Sequence, residues 1–144
     1  FRELEDSREL NIGLPVQGIG SFRLSAFLQR GSISAVVRFI PHDIPKLDAL
    51  HLPEILKDLV MERRGLILVV GAAGSGKSTT LATMVDKVNR EQAKHIVTIE
   101  DPIEFLHTHK RCIVNQRELH ADTHSFPNAL RAVLREDPDV VLVG

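Results

Sequence analysis

The 144-residue chain has no tryptophan, no tyrosine and only one cysteine. That lone thiol, Cys112, excludes an internal disulfide framework and points to a reducing compartment. No apolar run approaches the ~18 residues of a spanning helix, so no direct membrane insertion is expected. A basic excess is missing too. Lys and Arg number 18 against 19 Asp and Glu, a net charge of −1. This speaks against a nucleic-acid binder held by a basic face. Neither HExxH nor a paired CxxC occurs. The seven histidines include the pairs His107/His109 and His120/His124, but zinc sites need three or four convergent ligands. Solvent-exposed histidines flanking loops are expected instead of a metal centre.

What is present is the balance of a globular protein, 43% hydrophobic and 26% charged. After a short charged stretch that suits a helix, Leu10 to Ile40 is strand-like and punctuated by Gly13, Gly18, Gly20 and Gly31. Phe22, Leu24, Ala26 and Leu28 form one apolar stripe, and Ile33, Ala35, Val37 and Phe39 form another. The two read as strands joined by a turn at Arg30-Gly31-Ser32. A two-residue turn sets Arg23 opposite Arg38; a four-residue loop leaves them diagonal. Pro41 to Leu50 reads as a linker. "LPEILKDLVMERRG" reads as a helix opened by Pro53 and stopped by Gly65. Beyond it, strand and helix signals alternate: strand Leu66–Val70, helix Lys77–Asn89, strand His95–Ile99, strand Cys112–Asn115, helix Ser125–Arg135, strand Val140–Val143. Phe126, Ala129, Leu130, Val133 and Leu134 make the core face of the helix Ser125–Arg135, while Arg131 and Arg135 suit phosphate sensors or a solvated face equally well. The expectation is an α/β fold with a mostly parallel sheet and helices on both faces.

The chemistry is concentrated at Gly71-Ala72-Ala73-Gly74-Ser75-Gly76-Lys77-Ser78, followed by Thr79. This fits the phosphate-binding loop G-x-x-x-x-G-K-[ST]. Glycines allow successive backbone N–H groups to curl round a phosphate, and a helix starting near Lys77 points its positive end at the same anion. Lys77 would bridge the terminal phosphates of ATP, with the Ser78 hydroxyl a ligand for Mg²⁺. A plain glycine-rich turn with a surface lysine matches the pattern in only roughly 0.5% of chains of this length at average composition. The apolar run before it and the helix after it favour the nucleotide reading further. "HIVTIEDPIEF" then ends a second apolar strand in Glu100, Asp101 and Glu104. In open α/β sheets, ligands lie beyond the carboxyl ends of the strands. These acids suit Mg²⁺ held through water and an oriented attacking water.

"GSGKSTTLA", "IVTIEDPIEF", "HK…VNQRE" and "ALRAVLREDPDVVLVG", in this order, resemble the type IV pilus retraction (twitching motility) ATPases, the PilT/PilU group of the secretion ATPase superfamily. The resemblance covers nearly the whole chain. It implies a partial PAS-like α/β domain over 1–41, a linker over 42–51, and the first part of a RecA-like P-loop core over 52–144. It also implies that Glu104 is the catalytic glutamate, that Glu100 and Asp101 support it, and that Arg23 and Arg38 reach a neighbouring subunit's nucleotide. The Walker B strand matches Val140–Gly144. Ala72-Ala73 replace the usual Pro-Thr, and the loop glycines are kept.

The chain starts at Phe1 and stops at Gly144, directly after an apolar run, which suggests a piece of a longer protein. The resemblance puts the Walker B acid and histidine box past Gly144, so residues 1–144 alone are expected to be nearly inactive. It further implies a Mg²⁺-dependent ATPase, a homo-hexamer, a cytoplasmic location peripheral to the inner-membrane pilus base, and contact with the platform protein there. A pilus-assembly or type II secretion ATPase is the alternative within the superfamily. A P-loop small-molecule kinase is a further one, disfavoured because no acceptor pocket or arginine-rich lid can be located.

Overall fold

The computed structural model describes residues 2–16, 19–40 and 43–144. Gly18 and Pro41, read above as punctuation and as the start of a linker, lie outside them. The chain divides into two compact units, Phe1–His42 and Asp43–Gly144.

The first unit is helix α1 (Arg2–Ser7) followed by an antiparallel meander, β1 (Glu9–Val16), β2 (Gly20–Gln29) and β3 (Ser32–Ile40), in that spatial order. Gln29 pairs with Ser32. Arg30 (φ 50°) and Gly31 (φ 82°) alone therefore make the turn, as expected where a two-residue loop must match strand twist. The register sets Phe22 opposite Phe39, Leu24 opposite Val37 and Ala26 opposite Ala35, which unites the two apolar stripes. The rings of Phe22 and Phe39 tilt against each other at 5.2 Å. Arg23 stands directly opposite Arg38 on the other face.

The second unit begins inside the segment read as linker. Leu47–Leu50 is a 3-10 turn with Leu47 buried, because an apolar side chain beside an amphipathic helix is worth burying even between prolines. Helix α2 (Ile55–Leu59) is much shorter than its sequence signal. Helix α3 (Lys77–Glu91) leads to the parallel sheet of β4 (His95–Glu100), β5 (Ile113–Glu118) and β6 (Val140–Val143), ordered β5-β4-β6. Helix α4 (Phe126–Val133) connects β5 to β6, its first turn capped by the Ser125 hydroxyl accepting from Asn128 N–H at 3.3 Å.

β4 is the centre of this unit, with Ile96, Val97, Thr98 and Ile99 fully buried. One of its faces packs Ile96 with Val85 and Val88 of α3 and with Cys112 and Val114. The other packs Val97 and Ile99 with Ala129 and Val133 of α4. Helices thus cover both faces, as a parallel sheet of continuous apolar strands requires.

Two expectations need correction. Leu66–Val70 is not a strand but an extended segment without ladder partners; Leu66, Leu68 and Val70 are 82%, 74% and 86% exposed. An apolar run states a need for burial, whereas a strand also needs a neighbour to take its N–H and C=O groups. Among the described residues, none pairs with it. Leu134, assigned to the core face of α4, caps the helix and is exposed.

Candidate active site

Loop 71–76 is exposed and leads into α3. Gly74 (φ 75°) and Gly76 (φ 90°) occupy the left-handed region, which side chains with a Cβ resist. Gly76 stands at the N-cap with no side chain closing the first turn. The leading amides of α3 are left for a ligand, at the positive end of the helix dipole. Ser75 N–H donates to Ala72 O at 3.2 Å, and Lys77 Nζ folds back to the same carbonyl at 2.8 Å.

Beside the loop lies a cavity of about 110 Å³. Ser78, Leu81 and Ala82 line it from α3, Glu100 from β4, Asp101, Glu104, Phe105 and His107 from the following loop, and Leu142 and Gly144 from the β6 end. The structure therefore brings Ser78 together with the three acids singled out from sequence. Arg23 and Arg38 belong to the first unit.

The acids are not equivalent. Glu100 is partly buried, and its Oε1 accepts from Thr98 Oγ1 at 2.6 Å and from Gln116 Nε2 at 3.2 Å. Burial pushes its carboxyl above the ordinary range, although Thr98, Gln116 and the Glu104 backbone amide work in the opposite direction. Glu104 is exposed and lines the cavity. Glu100 is thus a fixed acid, whereas Asp101 and Glu104 are exposed and can meet a ligand.

Loop 101–112 joins the parallel neighbours β4 and β5 without a helix, an unusual crossover that needs holding. Buried Asn89 of α3 holds its far end: Oδ1 accepts from Lys110 N–H at 3.1 Å and Cys112 N–H at 3.3 Å, and Nδ2 donates to Thr108 O at 2.7 Å. Asp86, also buried, pairs with Lys110 and with Arg90. Burial drives its carboxyl upward, and these two cations more than reverse that, leaving it below the usual carboxylate value. Near the cavity, Gln116 and Glu118 of β5 bind the loop through the backbone N–H groups of His107 (2.7 Å) and Ile103 (3.0 Å).

His107 corrects the reading of the histidines as exposed. Its Nδ1 is buried with no hydrogen-bond partner, and burial pushes its pKa down to about 4. No cluster of three or more His, Cys, Asp or Glu residues suited to a metal occurs among the described residues, and no helix among them is long and apolar enough to cross a membrane. Asn89, Gln116 and Glu118 escaped the sequence reading because polar residues that serve a loop follow no packing period. The string "VNQRE" was the only signal for Gln116 and Glu118, and Asn89 had none.

The site can therefore seat an anion on loop amides and Lys77, and present carboxylates beside it. Over residues 6–144 the chain matches the family described as Type II/IV secretion system protein. It is 49% identical over 143 residues to the type IV pilus ATPase PilU of Pseudomonas aeruginosa, covering 99% of this chain and 37% of that protein. It is 48% identical to the type IV pilus retraction ATPase PilT of the same organism, covering 99% and 42%. A crystal structure of the pilus retraction motor PilT with bound ADP matches 99% of this chain and 42% of that one, with a TM-score of 0.95 and 50% identity. The chain spans about two-fifths of the length of these relatives. With its phosphate loop, acidic crossover and parallel sheet, the chain belongs to the type II/IV secretion system protein family.

Proposed function

We propose that this chain is the nucleotide-binding part of a subunit of a hexameric type IV pilus retraction ATPase that drives twitching motility. The observation that carries the reading is near-even identity to PilU and PilT along 99% of the chain. The phosphate loop beside Ser78, Glu100, Asp101 and Glu104 supports it. In this reading residues 52–144 are the first part of a RecA-like core, 42–51 a connection, and 1–41 part of a PAS-like domain.

The loop amides of 71–76 and the first turn of α3, through Thr79, cradle the phosphates of ATP. Lys77 leaves Ala72 O and turns to the terminal phosphates. Hard oxygen donors gathered at Ser78 and the acids fit Mg²⁺. Ser78 would hold the ion with Glu100 and Asp101 supporting it, and the ion would supply neutralisation of phosphate charge. Glu104 orients the attacking water and accepts its proton. Arg23 and Arg38 serve the nucleotide of an adjacent subunit. The assembly works at the cytoplasmic side of the inner membrane, on the pilus platform protein, and binds no nucleic acid.

Phosphate release by the full-length protein, with ATP and Mg²⁺ and no added acceptor, tests the reading. Lys77→Ala should weaken nucleotide affinity roughly ten- to hundredfold, the loss of a charge-assisted bond. Glu104→Gln should keep binding and lose turnover by roughly a hundredfold or more. Turnover that appears only when an acceptor is supplied would indicate a kinase and overturn the proposal.

A further inference from the structure

The crossover 101–112 brings two acids and three other cavity-lining residues to the phosphate loop, yet it has no helix to fix it. Two side chains of β5 tie its cavity end to the sheet: Glu118 takes the Ile103 N–H, and Gln116 makes the larger set of bonds. Gln116, paired with Thr98 in the β4–β5 register, uses Nε2 to donate to Glu100 Oε1 at 3.2 Å and to Phe105 O at 2.9 Å. Its Oε1 accepts from His107 N–H at 2.7 Å.

The orientation of this amide is chemically determined. His107 N–H can only donate and Phe105 O can only accept, so a flipped amide would meet a donor with a donor and an acceptor with an acceptor. With Nε2 thus committed, Glu100 Oε1 faces a donor, which suits an ionised oxygen there. Thr98 Oγ1 supplies a second donor to the same atom.

We propose that Gln116 is a positioning residue for ATP hydrolysis, locking the carboxylate of Glu100 and the backbone of residues 105–107 into one arrangement beside the phosphate loop. The proposal rests on the ATPase reading above. Gln116 is not among the cavity-lining residues; it acts through Glu100 and through the loop that bears Glu104. Because a displacement of about 1 Å of groups around a reacting centre can cost on the order of a hundredfold in rate, loss of this amide should appear in kcat before it appears in affinity.

The test uses the full-length protein and three near-isosteric variants. Gln116→Leu removes all three bonds. Gln116→Glu keeps the acceptor for His107 N–H but removes both donors and sets a carboxylate against Glu100. The third variant, Thr98→Val, removes only the other donor to Glu100 and leaves the loop bonds in place. Phosphate release, ADP affinity by calorimetry and thermal melting are measured side by side. The expected result is a ten- to hundredfold fall in kcat for Gln116→Leu and for Gln116→Glu. ADP affinity should stay within about threefold of wild type, and Thr98→Val should lose less than either. Wild-type kcat in a folded Gln116 variant, or a kcat loss matched by equal loss of ADP affinity, overturns the inference. A wild-type protein with no phosphate release overturns the ATPase reading instead. If Gln116→Leu does not fold, Gln116→Glu decides on the same two criteria.

Discussion

At His107 a buried imidazole nitrogen has no partner, and its environment holds the ring neutral until the pH falls to about 4. The unfolded chain takes up that proton near the ordinary value of about 6.5. Between these values the unfolded state binds more protons than the folded one, so stability rises with pH across the window and is lost as pH falls through it. The second unit should therefore lose on the order of 2 kcal/mol between about pH 6.5 and 4 from this residue, allowing for partial solvent access. Denaturant titrations at several pH values check this, and His107→Leu should flatten the dependence. Residues whose chemistry is their spacing, Lys77, Ser78, Glu100 and Glu104, were legible in the sequence. His107 was not, because burial of a single ring depends on Gln116 holding its backbone, a contact nine residues away that no periodic pattern announces.

At the level of elements, α3, β4 and α4 could be read directly because each buries a continuous face, and their ends differ from expectation by one or two residues. β5 was read short. Only its first half packs, and Asn115 to Glu118 serve their neighbours by hydrogen bonds instead. The segment 66–70 was misread for the reverse reason, having the composition of a strand without a partner. The crossover 101–112 shows what replaces a helix: Asn89 saturates two N–H groups and one carbonyl from inside α3. Asn89→Ala strands those groups in a buried setting and should cost on the order of 3 kcal/mol. Chemical denaturation measures that loss. Faster proteolytic cleavage within 101–112, with α3 and β4 still protected, would locate it; a cut pattern unchanged from wild type would show that the loop is held by other contacts.

At the scale of the whole molecule, the proposed assembly assigns a role to Arg23 and Arg38, which face each other across β2 and β3. Like charges directly opposite on an antiparallel pair destabilise it by roughly 0.2–1 kcal/mol. In the assembled protein, Arg23→Ala and Arg38→Ala should each slow hydrolysis about a thousandfold if they act as trans arginines, while nucleotide binding by separate subunits is spared. Mixing either variant with Glu104→Gln subunits should restore part of the activity, and wild-type rates in the single variants would reduce the pair to a solvated face. The exposed ribbon Leu66–Val70 also determines how the separate 144-residue chain behaves as a colloid. Its apolar side chains and open amides form a template for strand addition between copies. With a net charge of −1 and an isoelectric point near 6.7, almost no long-range repulsion keeps such copies apart at neutral pH. Its solubility should therefore pass through a minimum close to the pH of the cell interior, and concentrated stocks will keep better a unit or two to the alkaline side.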